Sequence, residues 1–313
     1  MNTMPNTPTS QRLVPGADVC PHCGSKNLRN FTATAHDEDL PATIGVYACN
    51  DCAFAWQWPW SRTADSSRAY FDGQYRTGDA GTYFDPENRR KIAELEFAYV
   101  RSRIAGPVRM LDVGGGDGVF GTVAAEDGWP VTCVDPALPA RDAASGNPRF
   151  VRGLLDDLPA DERFDVVTLW DVIEHLEQPT AVLEACVARL APGGTLFVET
   201  GNFQSAGRIS SGPDWWGYQS DHRWYFTPPV IEDMMKRAGL VDIALHDKVL
   251  RPWWNGAKAA AAPRLWPTLS RSIKRPDRTL AHIRMHRELA DAAARWPEWS
   301  GLEIFVSSGR RPG

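Results

Sequence analysis

The sequence predicts an α/β protein in which helices cover both faces of a parallel sheet, with a small metal-stabilised module ahead of it. The sheet is predicted because short apolar runs alternate with helical patterns from residue 108 onward. The first apolar run ends in a glycine-rich loop at residues 114–118, which is typical of a nucleotide site. The small module is predicted from two Cys-x-x-Cys pairs, whose members are Cys20, Cys23, Cys49 and Cys52.

Length and composition limit the possible classes of protein. A chain of 313 residues, 43% of them apolar, can form one large domain and one small one. Its formal charge of −5 argues against a general nucleic-acid binder. No apolar run is long enough to span a bilayer, so a membrane partner is not expected. Residues 1–14 are polar and lack the apolar centre of a signal peptide, which predicts a disordered tail and a cytoplasmic location.

Residues 15–60 are predicted to form a zinc ribbon. Four cysteines in two pairs match tetrahedral zinc coordination, and a module this small needs the metal to supply folding energy. The competing interpretation, two disulfides, requires an oxidising compartment that nothing in the sequence supports. The ribbon holds two basic residues, Lys26 and Arg29, against five acidic ones, so phosphate binding by the ribbon is not expected.

Residues 61–105 are predicted to be a helical linker that also forms a lid on the substrate side. Tyr70 and Tyr75 lie in its polar, glycine-containing first part, and we expect them to line the acceptor site. A helix is predicted to begin at Asp85-Pro86, because proline is favoured at the first helical position. The same helix is predicted to end at Gly106-Pro107.

Residues 106–313 contain the alternating strands and helices. The strands are predicted at residues 108–113, 131–135, 149–152, 165–170, 195–200, 241–249 and 302–307. Further helices are predicted at 179–191 and 228–238. Residues 251–298 form an insertion with ten lysine or arginine residues, four acidic residues and several tryptophans. We expect this insertion to cap the acceptor site or, as an alternative, to form an oligomer contact.

The glycine loop and the second strand together predict a nucleoside-containing cofactor. Glycines let backbone N–H groups approach a ligand closely, and the N-terminus of the following helix faces that ligand. Asp135, at the tip of the second strand, is placed to accept the hydroxyls of a ribose. Two cofactors fit this geometry, because Gly116-Asp-Gly-Val-Phe-Gly121 also satisfies the dinucleotide pattern G-x-G-x-x-G.

An acid two residues before the loop distinguishes the two cofactors. Asp112 followed by G-x-G-x-G resembles the first motif of class I S-adenosylmethionine (SAM) methyltransferases, and residues 164–176 and 190–194 resemble later motifs of that family. Residues 222–228, His-Arg-Trp-Tyr-Phe-Thr-Pro, resemble a narrower branch, small-molecule methyltransferases that often carry an amino-terminal zinc module. The resemblance implies a Rossmann-like sheet of seven strands, the last of them antiparallel and beside the sixth.

The resemblance also implies roles for individual residues. The expected SAM-binding residues are Asp112, Gly114, Gly116, Asp135, Asp156 and Trp170. His222 and His175 are expected to take the acceptor proton or to contact the acceptor, since a histidine near neutral pKa accepts a hydroxyl proton. The alternative is that each histidine only braces its own loop. The expected acceptor-lining residues are Tyr70, Tyr75, Trp216 and Tyr225.

The function that these features predict is SAM-dependent transfer of a methyl group to an oxygen or carbon of a small-molecule acceptor. The expected acceptor is a sugar or a secondary-metabolite intermediate, as in antibiotic biosynthesis. Two alternatives stay open. An RNA methyltransferase that holds RNA with its ribbon would need a basic ribbon, and a non-catalytic partner protein of the same fold would have a degraded cofactor loop.

Overall fold

The computed structural model describes residues 13–35, 43–63, 66, 69, 73, 85–137, 146–246 and 303–313. Tyr70, Tyr75, the 251–298 insertion and the tail up to residue 12 lie outside the described residues, so the expectations for them stay predictions. In the part of the chain that is described, no helix has the length and apolar character needed to cross a membrane.

The strands and helices follow in chain order. The strands are β1 (Leu28–Thr34), β2 (Thr43–Cys49), β3 (Ala55–Gln57), β4 (Met110–Val113), β5 (Val131–Asp135), β6 (Arg149–Arg152), β7 (Phe164–Trp170), β8 (Leu190–Gly201), β9 (Trp224–Tyr225), β10 (Val241–His246) and β11 (Ile304–Arg310). The helices are α1 (Pro86–Arg101), α2 (Val119–Glu126), α3 (Pro179–Arg189), α4 (Ala206–Ser211) and α5 (Pro228–Arg237). Single turns of 3₁₀ helix follow β6 and β7 at Leu155–Asp157 and Ile173–His175.

Seven strands form the main sheet in the order β10-β11-β8-β7-β4-β5-β6. Strand β4, next to the central strand β7, is parallel to both of its neighbours, with Asp112 opposite Cys133 of β5 on one side and Thr168 of β7 on the other. The last strand, β11, is antiparallel to both β8 and β10. The predicted seven-stranded sheet with an antiparallel last strand is therefore confirmed.

Helices cover both faces of this sheet, which is why its central strands are mostly apolar. In β7, Phe164, Val166, Val167 and Leu169 are all buried, so the side chains on either face are shielded from water. One face packs against α1 and α2, and the other against α3 and α5. The core thus lies on both sides of the sheet and leaves the strand ends for the site.

Helix α1 begins where the sequence predicts. Asp85 caps it by accepting hydrogen bonds from the backbone N–H groups of Glu87 and Asn88, and Pro86 takes the first helical position. The helix ends at Arg101, earlier than the predicted end at Gly106, because the chain tightens into a turn there. The Ser102 hydroxyl donates to the Tyr99 carbonyl at 2.7 Å within that turn.

The ribbon shares its sheet with the large domain. Strands β1, β2 and β3 are antiparallel neighbours, and β9 adds a fourth strand by pairing with β3. Trp56 lies opposite Trp224 in this pairing, and the Phe54 ring stacks on Trp224 with centroids 5.6 Å apart. The aromatic side chains therefore form one continuous core across the join.

Residues just before the predicted start of the ribbon pack against the large domain. Leu13, which the sequence prediction assigns to the disordered tail, is buried against the large domain. Its carbonyl accepts a hydrogen bond from the Gln178 side-chain amide at 3.1 Å. The polar composition of residues 1–14 predicted neither the burial of the Leu13 side chain nor the hydrogen bond to its carbonyl.

Candidate functional site

The loop between β4 and α2 is built on glycines in the left-handed region of backbone space. Gly114 has a φ of 74° and Gly118 a φ of 78°, and a side chain would be strained at either position. A Cβ at Gly114 would also lie 2.5 Å from Val172 Cγ2, and one at Gly118 would lie 2.4 Å from the Phe150 ring. The glycines therefore let the loop lie directly against the segment after β7 and against β6.

Asp112, in β4, carries a buried carboxyl group that is 2% exposed. Its Oδ1 accepts a hydrogen bond from the Thr168 hydroxyl at 3.0 Å. Burial raises the pKa of the Asp112 carboxyl to about 7; the Thr168 hydrogen bond opposes this rise and the Asp135 charge adds to it. Because a nearby cation favours the ionised form of a carboxyl group, this residue suits a ligand that carries an ammonium group.

Asp135 ends β5, and backbone donors fix its carboxylate. Its Oδ2 accepts from the Gly116 N–H at 3.0 Å, and its Oδ1 accepts from the Ala137 N–H at 2.6 Å. The Gly153 N–H donates to the Asp135 carbonyl at 3.1 Å, which ties Asp135 to the turn after β6. Asp156 is exposed in that turn. The structure thus brings Asp135 onto the glycine loop and places Asp156 farther along the same edge of the sheet.

Trp170 ends β7 beside this loop. Its ring is largely buried and lies 5.4 Å, centroid to centroid, from the ring of Phe120 at the start of α2. The indole N–H is buried and has no hydrogen-bond partner among the described residues. The strand order reverses at β4, so the loops after β4 and β7 leave the same edge of the sheet. A ligand bound at this crevice would contact both loops.

His175 and His222 lie together on this side of the sheet, with ring centroids 4.7 Å apart and ring planes 76° apart. Nδ1 of His222 is 2.8 Å from the Gly217 carbonyl oxygen, which can only accept, so Nδ1 is the donor. Nδ1 of His175 is 3.3 Å from the Asp221 carbonyl oxygen and 3.4 Å from its carboxylate Oδ2. In the neutral form of both rings, the lone pair is therefore on Nε2.

Burial decides the protonation of this cluster. It lowers the pKa of His175 to about 4, while the charge of Asp221 opposes and a charge on His222 would reinforce the decrease. The His175 ring is therefore neutral at neutral pH. Burial also raises the pKa of the Glu174 carboxyl to about 8, and the neighbouring charge of Asp171 adds to this increase.

Two carboxylates that the sequence prediction did not include complete the cluster. Glu174 and Asp221 each precede one of the histidines, and they are 4% and 1% exposed. Glu174 Oε2 and both carboxylate oxygens of Asp221 are buried without a hydrogen-bond partner within the described ranges. Ligand atoms of Glu174, His175 and His222 all lie within 4.8 Å of one another. The signal that could have identified these acids is their adjacency to a histidine.

The four ribbon cysteines converge on one point. Cys20 Sγ and Cys52 Sγ are 3.6 Å apart, as are Cys23 Sγ and Cys49 Sγ, and all four sulfurs lie within 4.8 Å of one another. Sulfurs at the corners of a tetrahedron around zinc are ~3.8 Å apart, given Zn–S bonds of ~2.3 Å. A disulfide would need ~2.05 Å, and the cysteines are free thiols. The arrangement fits zinc and does not fit the two-disulfide alternative.

The ribbon supports the segments that carry the histidines. The Gln57 N–H of β3 donates to the Arg223 carbonyl at 2.9 Å. The buried Arg223 guanidinium donates to the His175 carbonyl at 2.6 Å, and the Arg223 N–H donates to the Glu174 carbonyl at 2.9 Å. One arginine therefore connects the ribbon, the His222 loop and the His175 turn.

The two expected acceptor-lining residues within the described chain differ in their surroundings. Tyr225 is buried, with its ring 5.3 Å from the Tyr218 ring and 5.9 Å from the Phe203 ring, centroid to centroid. It therefore packs in the join between ribbon and large domain, and its contact with an acceptor stays a prediction. Trp216 is half-buried, and its indole N–H donates to Glu303 Oε2 at 3.2 Å. Glu303 had no place in the sequence prediction, because it lies about ninety residues farther along the chain.

Curated proteins that are similar to this chain include ubiquinone biosynthesis O-methyltransferases. A ubiquinone biosynthesis O-methyltransferase of Xanthomonas campestris pv. campestris is 37% identical over 137 residues, which cover 39% of this chain and 57% of that protein. The chain therefore spans little more than half the length of this relative. A protein of the same name from Xanthomonas euvesicatoria pv. vesicatoria is 29% identical over 202 residues, covering 59% of this chain and 84% of the relative.

Among solved structures, the chain resembles the 1,6-didemethyltoxoflavin-N1-methyltransferase of Burkholderia thailandensis. The TM-score is 0.51 and the identity 17%, with 90% of this chain and 100% of that one covered, so the likeness shows a shared fold. The family described as "Methyltransferase domain" matches residues 80–245, which include the glycine loop, Asp135 and both histidines. Because this match covers more than half of the 313 residues, the chain belongs to the methyltransferase domain family.

Proposed function

We propose that this chain transfers the methyl group of SAM to an oxygen of a small-molecule acceptor. The observation that carries the proposal is the meeting of two half-sites at one edge of the sheet, a glycine loop with two oriented acids and a pair of histidines. Val172, which contacts Gly114, joins the two halves. The names of the curated relatives support oxygen over carbon as the acceptor atom. The proposed acceptor class is a sugar or a secondary-metabolite intermediate.

In the cofactor half-site, each residue is proposed to bind the part of SAM that matches its charge and size. Asp112 is proposed to face the methionine ammonium, and Gly114 and Gly116 to let the backbone approach the methionine part closely. Asp135, already oriented by two backbone donors, is proposed to accept the ribose hydroxyls. Asp156 would contact the adenine amino group, and the Trp170 carbonyl would lie near the ammonium. When bound, SAM supplies a methyl group made electrophilic by its sulfonium.

The acceptor half-site would activate a hydroxyl. Nε2 of His222 accepts the hydroxyl proton while the acceptor oxygen forms a bond to the methyl carbon. The carbon–sulfur bond breaks with its electron pair left on sulfur, which removes the sulfonium charge. The Gly217 carbonyl holds the ring in the tautomer this step needs. His175, neutral and 4.7 Å away, adds no positive charge that would oppose protonation of His222.

The ribbon is proposed to hold one zinc ion on Cys20, Cys23, Cys49 and Cys52. Its role would be structural, because the four sulfurs complete a tetrahedral set and leave no position for a substrate. Reduced cysteines are required for this ligation, so the cytoplasm is the proposed location. The acidic balance of the ribbon gives the RNA methyltransferase alternative no support.

The proposal is tested by separating donor binding from transfer. Calorimetry should show binding of SAM and of S-adenosylhomocysteine to the full chain, and a labelled methyl group should pass from SAM to members of a panel of sugars and phenols. His222→Gln should lower turnover at least ~100-fold with SAM affinity within about twofold, since general base catalysis contributes on that order. Glu232→Gln, on the exposed face of α5, is the matched control. Tight NAD binding with no SAM binding would overturn the proposal.

A further inference from the structure

The cluster of Glu174, His175 and His222 contains more potential metal-ligating groups than a single general base requires. Two imidazoles and a carboxylate converge with their ligand atoms within 4.8 Å of one another. The Nδ1 atoms of both rings face oxygens of Gly217 and Asp221, so the lone pairs of the neutral rings are on Nε2. Two imidazole nitrogens and a carboxylate oxygen that converge in this way are ligand types that a divalent transition-metal cation prefers.

Buried carboxylate groups in and beside the cluster also favour a cation at this position. Glu174 Oε2 is buried without a hydrogen-bond partner in the described part of the chain, and the buried Asp221 carboxylate has His175 Nδ1 at 3.4 Å from its Oδ2. The nearby Arg223 guanidinium donates to the carbonyl oxygens of His175 and Arg62, and its NH2 nitrogen lies 3.9 Å from Glu177 Oε1. Buried acceptors left unpaired are costly, and each such group calls for an explanation.

We propose that Glu174, His175 and His222 form a binding site for a divalent transition-metal cation at the acceptor side of the crevice. The inference rests on the proposed function, because an acceptor oxygen would be the outside ligand of the cation. Two imidazoles and one carboxylate suit Zn²⁺, Mn²⁺ or Fe²⁺, and three protein ligands leave positions open for the acceptor.

The oxygen atoms that face Nδ1 of each ring are already placed as metal-bound histidines need them. Such a histidine donates its other ring N–H to a carbonyl or carboxylate oxygen, which fixes the ring and its tautomer. His222 donates to the Gly217 carbonyl, and His175 faces the Asp221 carbonyl and carboxylate oxygens. Two ligand atoms each ~2.1 Å from a tetrahedral cation are ~3.4 Å apart, so binding would draw the most widely separated pair, now within 4.8 Å, inward by up to ~1.4 Å.

The cation changes how the acceptor loses its proton. An acceptor hydroxyl oxygen on the cation is more acidic, and its proton leaves to water. The oxygen then forms its bond to the methyl carbon, and the carbon–sulfur bond breaks with its electron pair on sulfur. His222 acts as a ligand in this form and as the base in the metal-free form, and both uses rely on the same Nε2 lone pair.

The test uses Mn²⁺ and the full chain, because manganese prefers nitrogen and oxygen ligands and the ribbon thiolates prefer zinc. Loss of the free Mn²⁺ electron paramagnetic resonance signal should show one bound Mn²⁺ per chain, with the zinc content unchanged. Glu174→Gln and His222→Gln should each weaken Mn²⁺ binding at least ~10-fold. Glu232→Gln is the control. S-adenosylhomocysteine binding by each variant checks that it is folded.

The outcomes separate this inference from the proposed function. Absent Mn²⁺ binding, or binding equal in wild type and both variants, overturns the cation site. If methyl transfer also continues unchanged in chelator with ribbon zinc retained, the proposed function stands without the cation. Absence of S-adenosylhomocysteine binding by the wild-type chain would instead remove the proposed function on which the inference rests.

Discussion

Asp135 shows how a single side chain is prepared for a ligand. Its two carboxylate oxygens each accept one backbone N–H, from Gly116 and from Ala137, so its orientation is fixed by the loop itself. Each carboxylate oxygen has more than one lone pair, so one backbone N–H on each oxygen does not by itself exhaust its capacity to accept. The two backbone donors therefore hold the carboxylate in the orientation that the proposed ribose contact needs.

Replacing Asp135 with alanine should reduce SAM affinity ~10-fold or more, because losing a charge-assisted hydrogen bond costs roughly 1.5–3 kcal/mol. Isothermal titration calorimetry with S-adenosylhomocysteine measures this directly. Asp161→Ala, an exposed acid in the turn before β7, should bind as the wild type does. Equal affinity for both variants would mean that the ribose is held elsewhere.

The buried Asp112 carboxyl should make SAM binding depend on pH. With a pKa of about 7 in the free protein, it is mostly protonated at pH 6 and mostly ionised at pH 8. An ammonium group binds the ionised form, so affinity should rise about 10-fold between pH 6 and pH 8. Asp112→Asn keeps the shape and should bind weakly with this rise removed. A wild-type affinity that falls as pH increases would contradict the proposed contact.

Sequence reasoning located the glycine loop and both histidines because each is visible in a short motif. It did not identify Glu174 and Asp221 as site residues, since burial without a hydrogen-bond partner is a property of the folded chain. Tyr225 is expected to be part of the aromatic lining of the acceptor site. In the structure, alternation along β9 directs it toward Tyr218 and Phe203, while Trp224 packs on the other side.

At the scale of elements, the pairing of β3 with β9 is the join on which the acceptor half-site depends. Strand β9 follows His222 by one residue, and the Arg223 carbonyl between them accepts the Gln57 N–H. The ribbon therefore fixes the His222 loop through backbone hydrogen bonds as well as through the packing of Phe54 on Trp224.

Cys49→Ser should abolish stoichiometric zinc binding and lower methyl transfer at least ~10-fold, while S-adenosylhomocysteine affinity stays within about threefold. The physical reason is that a ribbon without zinc loses its folding energy and releases β9, whereas the glycine loop lies on the main sheet. Metal analysis and calorimetry on one preparation make the comparison. Cys186→Ala, a buried non-ligand cysteine in α3, should keep its zinc. Full transfer by a zinc-free chain would show that the ribbon does not position the histidine.

The sequence predicted the longer strands and helices but not the short strand β9. Strand β7 and helices α3 and α5 lie close to their predicted bounds, since apolar periodicity and proline at the first helical turn are strong local signals. Strand β9 has two residues, too few for any periodicity, and its partner lies about 170 residues earlier in the chain. Such a pairing is specified only by the packed tertiary structure.

At the scale of the whole molecule, the ribbon and the large domain share a sheet, an aromatic core and the buried Arg223. We expect one calorimetric unfolding transition for the zinc-loaded chain, because no part of the ribbon core can separate without exposing Trp224 and Phe54. Zinc removal should shift this transition to lower temperature. A separate low-temperature transition that leaves the main one unchanged would show that the two parts unfold independently.

The contact between β3 and β9 has a consequence for how this chain responds to zinc supply. The proposed donor crevice is built from β4, β5 and β7, whereas the two histidines of the proposed acceptor half-site depend in addition on β9, which pairs with the ribbon that is proposed to bind zinc. A chain made under zinc starvation would therefore capture SAM yet turn over little of it. Zinc occupancy of the ribbon would then set the fraction of molecules that can transfer the methyl group. Activity would thus be controlled by metal loading at a site away from the reacting atoms.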